Sequence, residues 1–244
     1  MVVVVVVNMD CRVSKISHLP YRLPLRTRRP FQTVQRSHIL LKTRVYGKTL
    51  FIMTKTALIL LDIQTNIVER VKNFIDIDQY LEKVSSTLAE ARKAGILVVQ
   101  VTTGFRPSYA DASPRNPMTA HVKGSGLFKD TDASVQLHQA IVGAAADDIH
   151  VKKRRVSALY GNDLDIVLRS SGVDKIVVAG LATSGAVLST VRQAFDMDYE
   201  ITVLADLCAD PQTDVHEILV KKVLSKQASV LNAAEWLASL GEGL

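Results

Sequence analysis

From Thr56 onward the apolar positions fall into runs of two kinds that alternate along the chain. The first run, Thr56-Ala-Leu-Ile-Leu-Leu, is short and continuous and ends in Asp62, as expected of a strand covered on both faces. Leu81, Val84, Leu88 and Ala91 then recur at helical spacing and predict a helix over 77–94, with Asp78 as its cap and Gly95 as its stop. A second buried strand is expected over 96–101. Residues 104–133 carry Gly and Pro with little periodicity and read as a long loop, of a length that compact domains keep for function or leave disordered. Beyond it the pattern predicts a helix over 134–145 and a strand over 149–151 leading to Lys153. A helix over 163–171 follows, capped by Asn162 and closed by Gly172. Next come a strand over 175–179, a turn over 180–185, a helix over 186–197 and a strand over 201–205 that ends at Asp206. Helices over 214–226 and 233–240, the second capped by Asn232, complete the order. This alternation predicts an α/β fold: a mainly parallel sheet, helices on both faces, and ligands at the carboxyl ends of the strands.

Residues 1–53 behave differently. They show no sustained periodicity, contain Pro20, Pro24 and Pro30, and are expected to form an irregular extension ahead of a single domain over 54–244. Eleven Lys or Arg stand against Asp10 alone in residues 1–55, a charge of +10, whereas 19 against 23 acids leave residues 56–244 at −4. The basic character therefore belongs to the extension. Its arginine-rich, acid-poor composition fits a mitochondrial transit peptide, a solvated tail, or upstream sequence with translation starting at Met53. A mildly acidic domain argues against a nucleic-acid surface. No apolar run approaches the ~20 residues that span a bilayer, and Val2–Val7 lacks the basic flank of a secretory signal. Cys11 and Cys208 form no disulfide framework, which fits the cytoplasm, or the mitochondrion if residues 1–53 direct import.

Three positions lie just past expected strand ends: Asp62, Lys153 and the turn Gly180–Ala186. Such ends converge on one edge of a parallel sheet. Taken singly, Asp62 reads as well as a cap or turn carboxylate. Lys153, within Lys152-Lys-Arg-Arg155, reads as well as part of a solvated face.

Together these segments carry a resemblance. Leu61-Asp-Ile-Gln64, Lys153-Arg-Arg-Val-Ser-Ala-Leu-Tyr-Gly-Asn-Asp-Leu164 and Gly180-Leu-Ala-Thr-Ser-Gly-Ala-Val-Leu-Ser-Thr190 resemble, in order and spacing, the signature segments of the isochorismatase-like cysteine hydrolases. Asp206 and His216 match a fourth stretch, and the resemblance covers roughly residues 55–237. It implies a three-layer α/β/α fold and a catalytic Asp, Lys and Cys. Mapped here, Asp62 is the general base and Lys153 the neighbouring cation that favours a thiolate. Amides around Ala182, Thr183 and Gly185 form the oxyanion hole, with a cis peptide at Leu181–Ala182. The nucleophile position is occupied by Ala186, which cannot attack. Ser184, Ser189 or a water activated by Asp62 are the remaining nucleophiles. Ser184 suits a turn or cap equally, and Ser189 falls inside a helix.

The resemblance implies C–N hydrolysis of a small molecule, or a pseudoenzyme that keeps the pocket and binds without turnover. Gln64, Arg106, Tyr109, Asn116 and Leu159 are the candidate substrate contacts, Leu159 standing where the family usually has Phe. Arg106, Tyr109 and Asn116 suit a carboxylate or amide, or else they anchor the 104–133 loop. No histidine stands at metal-ligand spacing, so neither a metal nor another cofactor is expected. The resemblance and the long loop both point to a homo-oligomer.

Overall fold

The computed structural model describes residues 41–45, 48–52, 55–145 and 148–241. Residues 1–40, and with them most of the segment read as a transit peptide, lie outside the described residues. Where irregular chain was expected before residue 54, strand β1 (Leu41–Val45) pairs antiparallel with β2 (Lys48–Ile52), Leu41 opposite Ile52 and Val45 opposite Lys48.

The main sheet starts with β3 (Lys55–Leu61), which leads into α1 (Thr65–Val71), α2 (Ile77–Lys93) and β4 (Leu97–Thr103). Helix α2 is capped by Asp76, which accepts from the Gln79 amide at 3.1 Å, rather than by Asp78 as expected. Tyr80, Leu81, Val84, Leu88 and Ala91 form its buried stripe. Gly95 ends it at φ +72°, a left-handed conformation that glycine adopts without steric cost.

The stretch 104–133 is more ordered than a loop. It holds α3 (Pro117–Gly124), capped by Asn116 with Pro117 in the first turn. Phe105, Tyr109, Ala112, Val122, Phe128 and Val135 pack into a small core of their own. The long helix expected over 134–145 is reduced to α4 (Gln139–Val142) between two 3₁₀ turns. An isolated bridge between Leu137 and Gln64 breaks the run. There follow β5 (Ile149–Lys153), α5 (Leu164–Ser170), β6 (Val173–Leu181), α6 (Leu188–Asp196), β7 (Glu200–Ala209), α7 (Thr213–Ile218), β8 (Ser229–Leu231) and α8 (Ala233–Gly241).

The six strands run in the order β5-β4-β3-β6-β7-β8, every pair parallel. Ala57, Ile59 and Leu61 face one layer with Leu164 and Leu168 of α5 and Val191 and Ala194 of α6. Leu58 and Leu60 face the other with Val68 of α1, Leu81, Val84 and Leu88 of α2, and Trp236 of α8. The result is the expected three-layer α/β/α fold. The chain builds outward from β3 through β4 to β5, then returns to add β6 on the other side of β3. The order reverses between β3 and β6, and such a switch point opens a crevice beyond the strand ends.

Candidate active site

Asp62 is the first residue past β3. Its amide donates to the Val101 carbonyl at 2.8 Å, and it turns the chain at φ 55°, a conformation sparsely populated outside glycine. On β4, Thr103 lies opposite Lys153, the last residue of β5. These registers bring three side chains together. Lys153 Nζ stands 2.8 Å from Asp62 Oδ2 and donates to Thr103 Oγ1 at 2.7 Å, and the Thr103 hydroxyl donates to Asp62 Oδ1 at 2.9 Å. Asp62 and Lys153 are only 5% and 3% exposed, so the pair is withdrawn from water, where its attraction is far stronger than at a surface. The cation run therefore divides: Lys153 turns inward to Asp62, while Lys152, Arg154 and Arg155 are part-exposed.

Thr103 was not anticipated. A threonine is an ordinary strand residue, and only the sheet order, which sets β4 between β3 and β5, singles it out.

Gln64, expected as a substrate contact, is bonded to the protein backbone. Its carboxamide is fully buried, accepts from the Thr103 amide at 2.7 Å and donates to the Thr103 carbonyl at 2.9 Å and to the Val135 carbonyl. Gln64 thus imitates a strand neighbour and fixes the end of β4, aiming the Thr103 hydroxyl at the ion pair. Tyr109 is likewise taken up, its hydroxyl donating to the Leu127 carbonyl at 2.7 Å within the small loop core. Asn116 caps α3, accepting from the Met118 and Thr119 amides. Arg106 remains open to solvent, with its side chain 63% exposed and its guanidinium 3.2 Å from Asp111. Leu159 is buried in the same apolar cluster as Ala186.

The turn after β6 follows the strand that lies on the other side of β3. Leu61 lies opposite Gly180, and a Cβ on Gly180 would fall 2.1 Å from the Leu61 carbonyl oxygen, so only glycine permits this approach. The Leu181–Ala182 peptide is cis, and Thr183–Val187 winds as a π-helical turn into α6, with Ala186 buried on it. Of the amides expected in an oxyanion hole, that of Gly185 already donates to the Ala182 carbonyl at 3.1 Å. Thr183 Oγ1 lies 2.8 Å from His216 Nδ1. Buried Asp210 accepts from the Ser184 amide at 2.8 Å and from its hydroxyl at 2.6 Å. Burial pushes the His216 imidazole below its ordinary value, with Asp210 and Glu217 opposing and Lys221 reinforcing the shift. These contacts brace the turn, and Ser184 sits in it as a turn residue.

Asp206 has a structural place. It lies inside β7, accepts from the Ala233 amide at the start of α8 and pairs with Lys83. Cys208 is buried, and that burial pushes its thiol up to about 12, too far to ionise near neutrality. Among the described residues no group of three or more His, Cys, Asp or Glu is placed to hold a metal, and no helix is long and apolar enough to cross a membrane.

A doubly covered parallel sheet with a buried carboxylate–ammonium pair at the carboxyl ends of its strands is an α/β architecture that takes ligands at that edge. The Isochorismatase domain model matches residues 56–235, and the chain belongs to the isochorismatase family of hydrolases. It is 29% identical over 185 residues to the isochorismatase family protein YecD of Escherichia coli O157:H7, covering 76% of this chain and 96% of that one. It is 32% identical over 139 residues to the ureidoacrylate amidohydrolase RutB of Methylorubrum extorquens, covering 52% of this chain and 55% of the relative. The crystal structure of a cysteine hydrolase from Pseudomonas syringae pv. phaseolicola 1448A shares the fold, with a TM-score of 0.69 at 22% identity over 78% of this chain and 94% of that one.

Proposed function

We propose that the domain hydrolyses a C–N bond of a small amide-type molecule without a thiol nucleophile. The observation that carries this reading is the buried Asp62–Lys153 pair, 2.8 Å apart with Thr103 bonded to both, and the turn after β6 bears Ala186 where a thiol would be expected. A family relationship that includes an amidohydrolase supports a C–N bond as the target. In this reading Asp62 takes a proton from water as that water adds to the amide carbon. Lys153 offsets the charge that builds up, and the proton passes to the leaving nitrogen as the C–N bond breaks.

A second reading rests on Ala186 itself, together with the saturation of Asp62 by Lys153 and Thr103. The pocket then holds a ligand amide or carboxylate and performs no turnover. A panel of small amides, followed by both amine release and calorimetric binding, separates the two. Hydrolysis that falls about a hundredfold or more in Asp62→Asn supports the first, and saturable binding with no release supports the second.

Alkylation of an Ala186→Cys variant by iodoacetamide across pH tests whether the surroundings still favour a thiolate. Half-reaction well below the free-cysteine value of ~8.5 is expected, and a value near it would favour the binding reading. A homo-oligomer remains part of the proposal by family resemblance alone. The 104–133 loop, expected to need a partner for its order, has its own core. Light scattering at micromolar concentration decides it.

A further inference from the structure

The edge of β5 carries a second feature, independent of any turnover at Asp62. An open groove of ≈ 600 Å³ runs along this strand between the loops that precede α3 and α5, and neither Asp62 nor Lys153 lines it. Its lining holds four cations, Arg106, Lys152, Arg154 and Arg155, against two carboxylates, Asp111 and Asp163, a formal surplus of two.

Asp111 gathers the arginines. Its Oδ2 lies 2.6 Å from Arg154 Nε and 3.2 Å from Arg106 Nη1, and its carbonyl accepts from Arg155 Nη1 at 3.0 Å. Arg154 is used up by this contact, by the Lys152 carbonyl and by Asp130 at 3.7 Å. The others are not. Among the described residues, Lys152 Nζ, Nε and Nη2 of Arg155, and Nε and Nη2 of Arg106 have no protein acceptor. Tyr160 stands at the groove, 59% exposed. Cations on an unpaired edge strand also discourage edge-to-edge pairing, but that role asks neither for a concave lining nor for guanidinium groups fixed around one carboxylate.

We propose that this groove binds a small phosphate-bearing anion. Arginine forks match phosphate oxygens in pairs, Lys152 adds a point charge, the exposed Tyr160 face suits a planar group attached to the phosphate, and the volume is that of a small-ligand site.

The test is calorimetric titration of the full chain at low salt with inorganic phosphate, adenosine 5′-monophosphate and adenosine. Both phosphates bind and adenosine does not, and the nucleotide binds more tightly if the ring contact with Tyr160 forms. In a Lys152→Gln, Arg155→Gln double variant the dissociation constant for either phosphate rises by about tenfold or more. Arg106→Gln, whose side chain is 63% exposed, weakens binding by about threefold or more by the same reasoning. The proposal is overturned by wild-type protein that takes up neither phosphate, or by adenosine binding as tightly as its monophosphate. It is equally overturned if the groove variants bind unchanged, since the ions would then be held outside the groove.

Discussion

Lys153→Met removes the cation of the buried pair and leaves Asp62, 5% exposed, with the Thr103 hydroxyl as the one remaining side-chain donor among the described residues. Removing one member of a buried pair strands the other charge, at a cost of about 3–5 kcal/mol. For a domain of this size each kcal/mol lowers the midpoint of thermal unfolding by roughly 2–4 °C, so a fall of roughly 6–20 °C is expected. The assay is urea and thermal unfolding followed by circular dichroism at pH 7.5, for wild type, Lys153→Met, Asp62→Asn and the double variant. If the cost is the stranded charge, neutralising Asp62 as well restores much of it, and the double variant is more stable than Lys153→Met alone. Stability losses that simply add, or a Lys153→Met loss below about 1 kcal/mol as at a surface pair, would refute the claim that this pair is desolvated and mutually dependent.

Thr103→Val deletes the hydroxyl shared by Asp62 and Lys153, and the expected loss is about 1–3 kcal/mol by urea unfolding; an unchanged midpoint means that the bridge contributes nothing. Gly180→Ala places a Cβ against the Leu61 carbonyl at φ +126°, so a loss of at least about 3 kcal/mol or no soluble protein is expected, and a well-folded variant contradicts the packing of β3 on β6. His216 has a folded-state pKa below its unfolded value because it is buried. The unfolded chain therefore binds the extra proton first, and stability falls as pH drops through ~6.5. His216→Asn should flatten this slope between pH 7.5 and 5, and an equally steep slope would assign it to other groups.

The sheet and its two charged strand ends were legible because the signal is coarse. A continuous apolar run that stops at a charge needs a buried strand and an exit, and Asp62 sits at such a stop, whereas Lys153 closes the mixed run Ile149-His-Val-Lys and was marked only by its place past an expected strand. What the pattern could not carry was anything set by strand order. Thr103 gains its place only because β4 lies between β3 and β5. Gln64 looked like a ligand contact because it follows Asp62 closely, whereas its role depends on a backbone 39 residues away. Helix α3 buries only Thr119 and Val122, too few positions to show a period, though Asn116-Pro117 was a readable start. The helix expected over 134–145 had apolar residues at suitable spacing, but Gln64 and Leu137 pair across it, and tertiary pairing outweighed local preference. β8 is three residues long and offers no pattern at all.

The two charges of the pair stand on very different footings. Asp62 leaves the central strand, secured by neighbours on both sides, whereas Lys153 ends a five-residue strand bonded on one side only. A partial opening of the molecule that starts at the β5 edge will carry the ammonium away while the carboxylate stays in place. The centre can thus be dismantled without unfolding the domain, and amide hydrogen exchange should find Lys153 open to solvent well before the residues around Leu60.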